Sequence, residues 1–258
     1  MTEPDYEYHG MMAQTRDLFR GDTSTWEDRP FYLEIIHESG EPALDVGCGT
    51  GRLLLDYLSQ GVDVDGVDNS PEMLDLCRQK GAALGTMPTL HESDMETMSL
   101  PRHYRTIIVP SSSFQLGLEP KQAEKAISNL FAHLLPGGVL VMPFMKLWKN
   151  GFTSSWRLTG EKVHLGDGAV VKQWSRNRYD QETQLEHTED RYEVIREGVT
   201  IISETNVRSP ATREYTQQQV LDLYTKAGFM DICLYKGFTR LPASAEDEIF
   251  SVTGKRPY

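Results

Sequence analysis

LDVGCGTGRL, Leu44 to Leu53, decides the fold of this 258-residue chain. Apolar Ala43, Leu44 and Val46 run into glycines at alternate positions, Gly47, Gly49 and Gly51. An apolar helical run follows at Leu53, Leu54, Leu55, Tyr57 and Leu58. Strand, glycine turn and helix in that order form a nucleotide-binding crossover. Glycine permits the sharp turn and lets the backbone approach a ligand with no side chain between them. The helix start is then expected to present its amides to whatever binds.

The spacing separates two classes of cofactor. A dinucleotide loop is usually G-x-G-x-x-G, with pyrophosphate at the helix start. Here the third glycine comes one residue early, giving G-x-G-x-G, and Asp45 stands just before the turn. A carboxylate there repels a pyrophosphate and suits an ammonium group. On these residues the sequence resembles the class I S-adenosylmethionine-dependent methyltransferases, from Glu41 to Phe144 and again from Gln217 onward. The resemblance implies an α/β fold with a Rossmann-like, seven-stranded, mostly parallel sheet whose last strand is antiparallel. It also implies S-adenosylmethionine as cofactor and S-adenosylhomocysteine as product. Asp45, Gly47, Cys48, Gly49, Gly51 and Arg52 become candidates for the cofactor site.

Outward from the loop, VDVDGVDNS (62–70) reads as a second strand ending at Asp68, about twenty residues on, where an acid can accept ribose hydroxyls. Ser70 and Pro71 suit the cap and first turn of the next helix. By resemblance, Asp68 binds the ribose while Asn69 and Met73 pack on the adenine. Asp94 and Met95, in ESDMETM, match the acidic–apolar pair that reaches the adenine amino group in the family. Thr106 to Val109 is a buried-strand run. The resemblance puts Pro110 and Ser111 beside the cofactor and Phe114 and Gln115 beside the acceptor. A helix from Lys121 to Leu135, a Pro136-Gly137-Gly138 loop and the strand VLVMPF, ending at Phe144, complete this half.

Roughly seventy residues then intervene between Met145 and Thr216, too many for a structureless loop. They read as a three-stranded antiparallel meander: Gly168 to Tyr179, Thr183 to Ile195 and Val199 to Val207. Such an insertion resembles the flap of small-molecule N- and O-methyltransferases, where it covers the acceptor. TREYTQQQVLDLYTKAGF resumes the fold. Its Arg213 and Tyr215 stand, by resemblance, where the chain returns to the active site, and Thr216 caps a helix ending at Gly228. MDICLYKGF and DEIFSVTGKR form the closing hairpin. The expected division is a helical lid (1–40), a cofactor-binding core (41–150 and 209–258) and a β flap (151–208). Tyr6, Tyr8, Trp26 and Tyr32 are the lid's candidates to touch cofactor or acceptor.

Composition narrows the partners. The net charge of −12 argues against nucleic acid, whose non-specific affinity needs clustered Lys and Arg. No run of about eighteen apolar residues is present, so no membrane span is expected. Three cysteines without metal-ligand spacing suit a cytoplasmic protein with no metal site. His133 reads as a helix-surface residue, and His164 and His187 lie in the flap, so no dedicated base stands out. Phe144, Trp148, Trp156 and Trp174 supply aromatic faces for an apolar or cationic acceptor. The expected function is methyl transfer to N or O of a small molecule, driven by positioning rather than by a base. The alternatives are a tRNA or protein methyltransferase, a non-catalytic cofactor-binding protein, or another reaction of an adenosyl sulfonium. The flap is also the surface through which a homodimer would form.

Overall fold

The computed structural model describes residues 8–147, 153–164 and 166–258. The described elements run α1 (Gly10–Gln14), α2 (Arg16–Arg20), α3 (Asp28–Ser39), β1 (Ala43–Val46), α4 (Leu54–Ser59), β2 (Val64–Asp68), α5 (Pro71–Ala83), β3 (Leu90–Glu92), β4 (Tyr104–Ile108), α6 (Pro120–His133) and β5 (Leu134–Met145). They continue with β6 (Arg157–Val163), β7 (Val170–Asp180), β8 (Leu185–Arg196), β9 (Val199–Arg213), α7 (Gln217–Ala227), β10 (Met230–Lys236) and β11 (Ile249–Lys255). They fall into two compact units, one of residues 24–146 and 215–258, the other of residues 1–23 and 147–214.

The first unit holds a seven-stranded sheet in the order β10-β11-β5-β4-β1-β2-β3. β1 pairs in parallel with both β2 and β4, and β4 with β5. β11 is antiparallel to both its neighbours, as the sequence predicts. Central strands of a parallel sheet are covered on both faces. Successive residues accordingly feed opposite cores. Leu44, Ile107, Leu140 and Met142 pack with Ala126, Leu130, Val220 and Tyr224 of α6 and α7. Ala43, Ile108 and Val141 pack with Tyr32, Ile36, Leu54 and Leu74 of α3, α4 and α5. The helix ends obey their local chemistry. Ser70 Oγ accepts from Met73 N (3.1 Å) with Pro71 following, and Thr216 and Gln219 bond reciprocally at the start of α7. Gly228 ends α7 in the left-handed region, φ 96°.

The second unit is an antiparallel sheet in the order β6-β7-β8-β9. The sequence predicts three strands. The fourth, β6, is an edge strand, and its RLTGEKV is exposed along almost all its length, so it carries no burial pattern to read. β9 also runs on to Arg213, beyond the expected end at Val207. The N-terminal segment does not form a unit of its own. It divides after Thr23: α1 and α2 go with the four-stranded sheet, and α3 goes with the seven-stranded one. Met11 and Met12 pack on Val171, Tyr192 and Val194, contacts more than 150 residues away in sequence that no local pattern announces.

Candidate functional site

The glycine loop spends its amides on the protein. Gly47 N and Cys48 N donate to Val67 O (2.7 and 3.1 Å), Gly51 N donates to Cys48 O (3.0 Å), and Gly49 N donates to Asp68 Oδ2 (2.8 Å). The expectation that these amides face a ligand is therefore corrected. The early third glycine closes a tight turn that takes up its own donors, so no amide cradle for a pyrophosphate forms here. Gly47 and Gly49 have φ of 72° and 53°. A Cβ on Gly47 would lie 2.6 Å from Ser113 Oγ, whereas one on Gly49 would meet nothing within 4 Å. The space over Gly49 is where a flat group can approach the backbone.

Beneath the loop lies a buried polar cluster. Asp45 is 1% exposed, and its Oδ1 has no hydrogen-bond partner among the described residues. Burial pushes its carboxyl up to about 7, against the pull of the Arg52 guanidinium. Arg52 makes two bonds to Asp28 of α3, Nη1 to Oδ1 at 3.0 Å and Nη2 to Oδ2, and lies 4.9 Å from the ring centre of Trp26. With Arg52 committed to Asp28, the backbone of Leu54 supplies a hydrogen bond to the Asp45 carboxyl, and Oδ1 is left without a partner. Tyr32, also on α3, is wholly buried, and its hydroxyl likewise lacks a partner. Burial, then the charge of Asp28, pushes that phenol well above its usual range. Cys48 is buried in the loop, and burial followed by the Asp45 charge pushes its thiol up, which disarms it as a nucleophile.

At the end of β2, Asp68 is fixed by backbone amides, with Ser70 N donating to its Oδ1 at 2.9 Å. Burial raises its carboxyl, and the backbone donors restrain the rise. Asn69 is exposed and donates from Nδ2 to Asp94 Oδ1 (3.0 Å), so those two candidates stand together. Met73 is buried at 3% exposure, and Met95 packs against the core. Beyond β4, Pro110 is buried and Ser111 adopts φ 59°, a conformation a non-glycine residue adopts only under constraint.

Two acceptor candidates prove to be framework. Phe144 is fully buried and stacks on Phe250 at 5.5 Å, because β5 is flanked by strands on both sides. Gln115, also fully buried, exchanges two hydrogen bonds with the Met145 backbone (3.0 and 2.8 Å). Phe114 and Tyr215, 6.0 Å apart, join Phe144 in one aromatic cluster. His133 is buried rather than on the surface: its Nε2 accepts from Leu100 N (3.2 Å), and its Nδ1 lies 2.8 Å from Asn129 O.

The remaining candidates belong to the four-stranded unit. Trp174 donates from Nε1 to Glu193 (2.9 Å), and Trp156 lies under Arg176 and Arg191 (5.2 and 5.3 Å). Side chains alternate between the faces of a strand. Both tryptophans therefore sit on the face that carries Arg191 and Glu193. The opposite face, which carries Gln173, Ser175 and Asn177, lines a cavity of about 300 Å³. Tyr8 borders that cavity with α1 and α2 residues, and Arg213 bonds Thr183 O (3.1 Å) away from it. Trp148 and Tyr6 lie outside the described residues. Asp28 and the cavity's polar lining escaped the sequence reading. Asp28 could have been suspected only as an acid at a helix start, and the lining only by marking polar residues at alternate positions.

Among the described residues, no helix is long and apolar enough to cross a membrane, and no cluster of metal-binding side chains occurs. Comparison with known proteins places this arrangement. Residues 43–138 match the model of a family described as a methyltransferase domain. The chain is 27% identical, over 188 residues and 71% of each protein, to a dTDP-3-amino-3,6-dideoxy-alpha-D-glucopyranose N,N-dimethyltransferase of Streptomyces fradiae. It is 24% identical over 260 residues to a glycine/sarcosine N-methyltransferase of Halorhodospira halochloris, covering 96% of this chain and 88% of that one. The fold matches a solved S-adenosylmethionine-dependent methyltransferase from Clostridium acetobutylicum with a TM-score of 0.74 at 19% identity, over 95% and 97% of the two chains.

Proposed function

We propose that this chain, whose residues 43–138 match a methyltransferase domain, is a class I S-adenosylmethionine-dependent methyltransferase that N-methylates a small-molecule amine. When bound, S-adenosylmethionine supplies a methyl group carried on a positively charged sulfur. The observation that carries the cofactor part is the pairing state of the glycine loop: spent amides and a buried carboxylate with one oxygen unpartnered suit a cation and disfavour a diphosphate. Asp45 and the Tyr32 hydroxyl are assigned to the ammonium and carboxylate end. Asp68, already oriented by two amides, has lone pairs left for ribose hydroxyls. Asn69, Met73, Asp94 and Met95 are assigned to the adenine.

Nitrogen is favoured over oxygen for two reasons. Both curated relatives named above are N-methyltransferases. A neutral amine also attacks without a base, and Pro110, Ser111 and Phe114 at the end of β4 offer none. Orientation then carries the rate, which can supply about 7–11 kcal/mol. We assign acceptor selection to the four-stranded unit. A nucleic-acid acceptor is not expected, given the net charge of −12. The three free cysteines support a cytoplasmic setting. The exposed Val199, Ile201 and Val207 of β9 support a homodimer through this sheet, which sedimentation would read.

The test is a panel of small amines and alcohols with S-adenosylmethionine, reading S-adenosylhomocysteine release and product mass. Turnover of amines, with the methyl on nitrogen, is the expected result. Turnover confined to hydroxyl acceptors would move the assignment to oxygen, and binding without turnover of anything would make the chain a cofactor-binding protein.

A further inference from the structure

Along one face of the four-stranded sheet the chemistry changes abruptly. At one end Val171, Tyr192 and Val194 are apolar and packed under Met11 and Met12. Two residues further along β7 and β8 the same face turns polar while staying covered: Ser175 is 6% exposed, Thr188 5% and Asp190 3%. Burying polar groups costs stability, and a sheet that needed only cover would continue apolar. Here the polar side chains are held in a fixed network. Ser175 and Arg208 both donate to Asp190, the latter at 2.9 Å. Asn177 donates to Glu186 (3.1 Å) and Thr188 (3.2 Å), and Gln173 donates to Tyr192 (3.3 Å). The network borders the cavity of about 300 Å³, at the small end of the range for small-molecule sites.

We infer that this cavity binds a hydroxylated six-membered ring, the non-reacting body of the acceptor. Three features select that chemistry. The lining offers amides and hydroxyls that both donate and accept, and carboxylates that accept, which matches ring hydroxyls that do both. Two tyrosine rings, Tyr8 and Tyr192, stand at its edge as flat apolar walls for the C–H side of such a ring. The lining charges nearly balance, so hydrogen bonding rather than net charge sets the selection: Arg16, Arg157 and Arg208 face Glu186 and Asp190, with Arg208 tied to Asp190 and Arg16 over the Tyr8 ring at 5.0 Å. A ligand lacking hydroxyls makes no bonds to this network and is held only by ring packing. That the ring belongs to the methyl acceptor rests on the amine reading above; the binding itself does not.

The experiment uses the full chain saturated with S-adenosylhomocysteine and titrates three probes by calorimetry: methyl 3-amino-3-deoxy-α-D-glucopyranoside, cyclohexylamine and inorganic phosphate. The pyranoside should bind, and cyclohexylamine, a six-membered carbon ring with the amine but no hydroxyls, should bind at least about tenfold more weakly. Asn177→Ala, Gln173→Ala and the near-isosteric Thr188→Val should each weaken the pyranoside by about tenfold and leave S-adenosylhomocysteine affinity unchanged. Thermal melts establish that each variant is folded. Deoxy analogues of the pyranoside, titrated into the unaltered chain, give the same readout with no folding question. Equal binding of cyclohexylamine, unchanged pyranoside affinity in folded variants, or binding of phosphate alone would each overturn the inference. If the pyranoside binds but is never methylated, the amine reading fails and the cavity stands. If it is methylated with unaltered KM in all three variants, the cavity proposal fails and the amine reading stands.

Discussion

Strands β1 and β8 bury their side chains on opposite terms. All four residues of β1 are enclosed, and its one acid, Asp45, is left with an oxygen unpartnered. β8 buries alternate residues, and its acid, Asp190, receives two side-chain donors. In the seven-stranded unit the protein leaves one oxygen of a buried carboxylate without a partner. In the four-stranded unit it satisfies the polar groups first and lets them form a wall. The first arrangement suits a cofactor of fixed charge. The second suits a partner recognised through many hydrogen bonds.

The sharpest way to break this contrast is at the pair that isolates Asp45. Asp28→Ala leaves the Arg52 guanidinium buried without its two bonds, and a loss of about 3–5 kcal/mol in folding stability is expected by thermal or urea melt. A loss below about 1 kcal/mol would place Arg52 among loosely held surface charges.

Asp45→Asn should act in the other direction. Burial raises the Asp45 carboxyl from 3.8 to about 7, so the folded chain holds a proton that the unfolded chain releases. The contribution to stability is present below about pH 4 and is lost as pH rises toward 7. At pH 8 the substitution is expected to raise stability by up to about 4 kcal/mol, with little gain near pH 4. S-adenosylmethionine affinity should fall at the same time. A variant that is no more stable at pH 8 would show that Asp45 Oδ1 has a donor besides the Leu54 backbone.

Asp68→Ala separates the units by ligand. Losing charge-assisted bonds of about 1.5–3 kcal/mol should weaken S-adenosylhomocysteine roughly 10- to 150-fold. Pyranoside binding in the four-stranded unit should not change. The smallest effect is expected from Gly198→Ala, in the β8–β9 turn. Its φ is 79° and nothing lies within 4 Å of the new Cβ, so only backbone strain of about 1 kcal/mol is added. Gly51→Ala at φ 83° should cost more, since its Cβ would fall 2.6 Å from Cys77 Sγ. Equal melts for the two would mean that the glycine-loop core yields as readily as a surface turn.

The seven-stranded unit was legible because its rules are local. Glycine spacing, an acid at a strand end and helix caps each act within a few residues, and the structure follows them at Gly47, Asp68, Ser70 and Thr216. What was not legible depends on distance. Asp28 becomes important only through Arg52, and α1 finds its partner more than 150 residues away. Aromatic content alone does not tell which face of a strand a side chain takes. Trp156 and Trp174 are conspicuous in the sequence, yet the pleat turns them to the face opposite the cavity, and Phe144 is consumed by sheet packing. β6 was missed because an edge strand exposed on both faces writes no alternation into its sequence.

The division of the N-terminal segment after Thr23 also has a consequence for how the chain reaches this state. α1 and α2 leave the ribosome before the sheet that covers Met11 and Met12, which is not complete until β9. The bond from Met11 N to Glu204 Oε1 (3.0 Å) spans 193 positions. The loop-closure entropy of so long a span is met before its contacts give anything back. During synthesis the glycine-loop strands and their helices emerge inside that span, with every partner of β1 close at hand. The expected order of docking therefore runs against the order of the chain: α1 and α2 dock after the strands that build the surface they need.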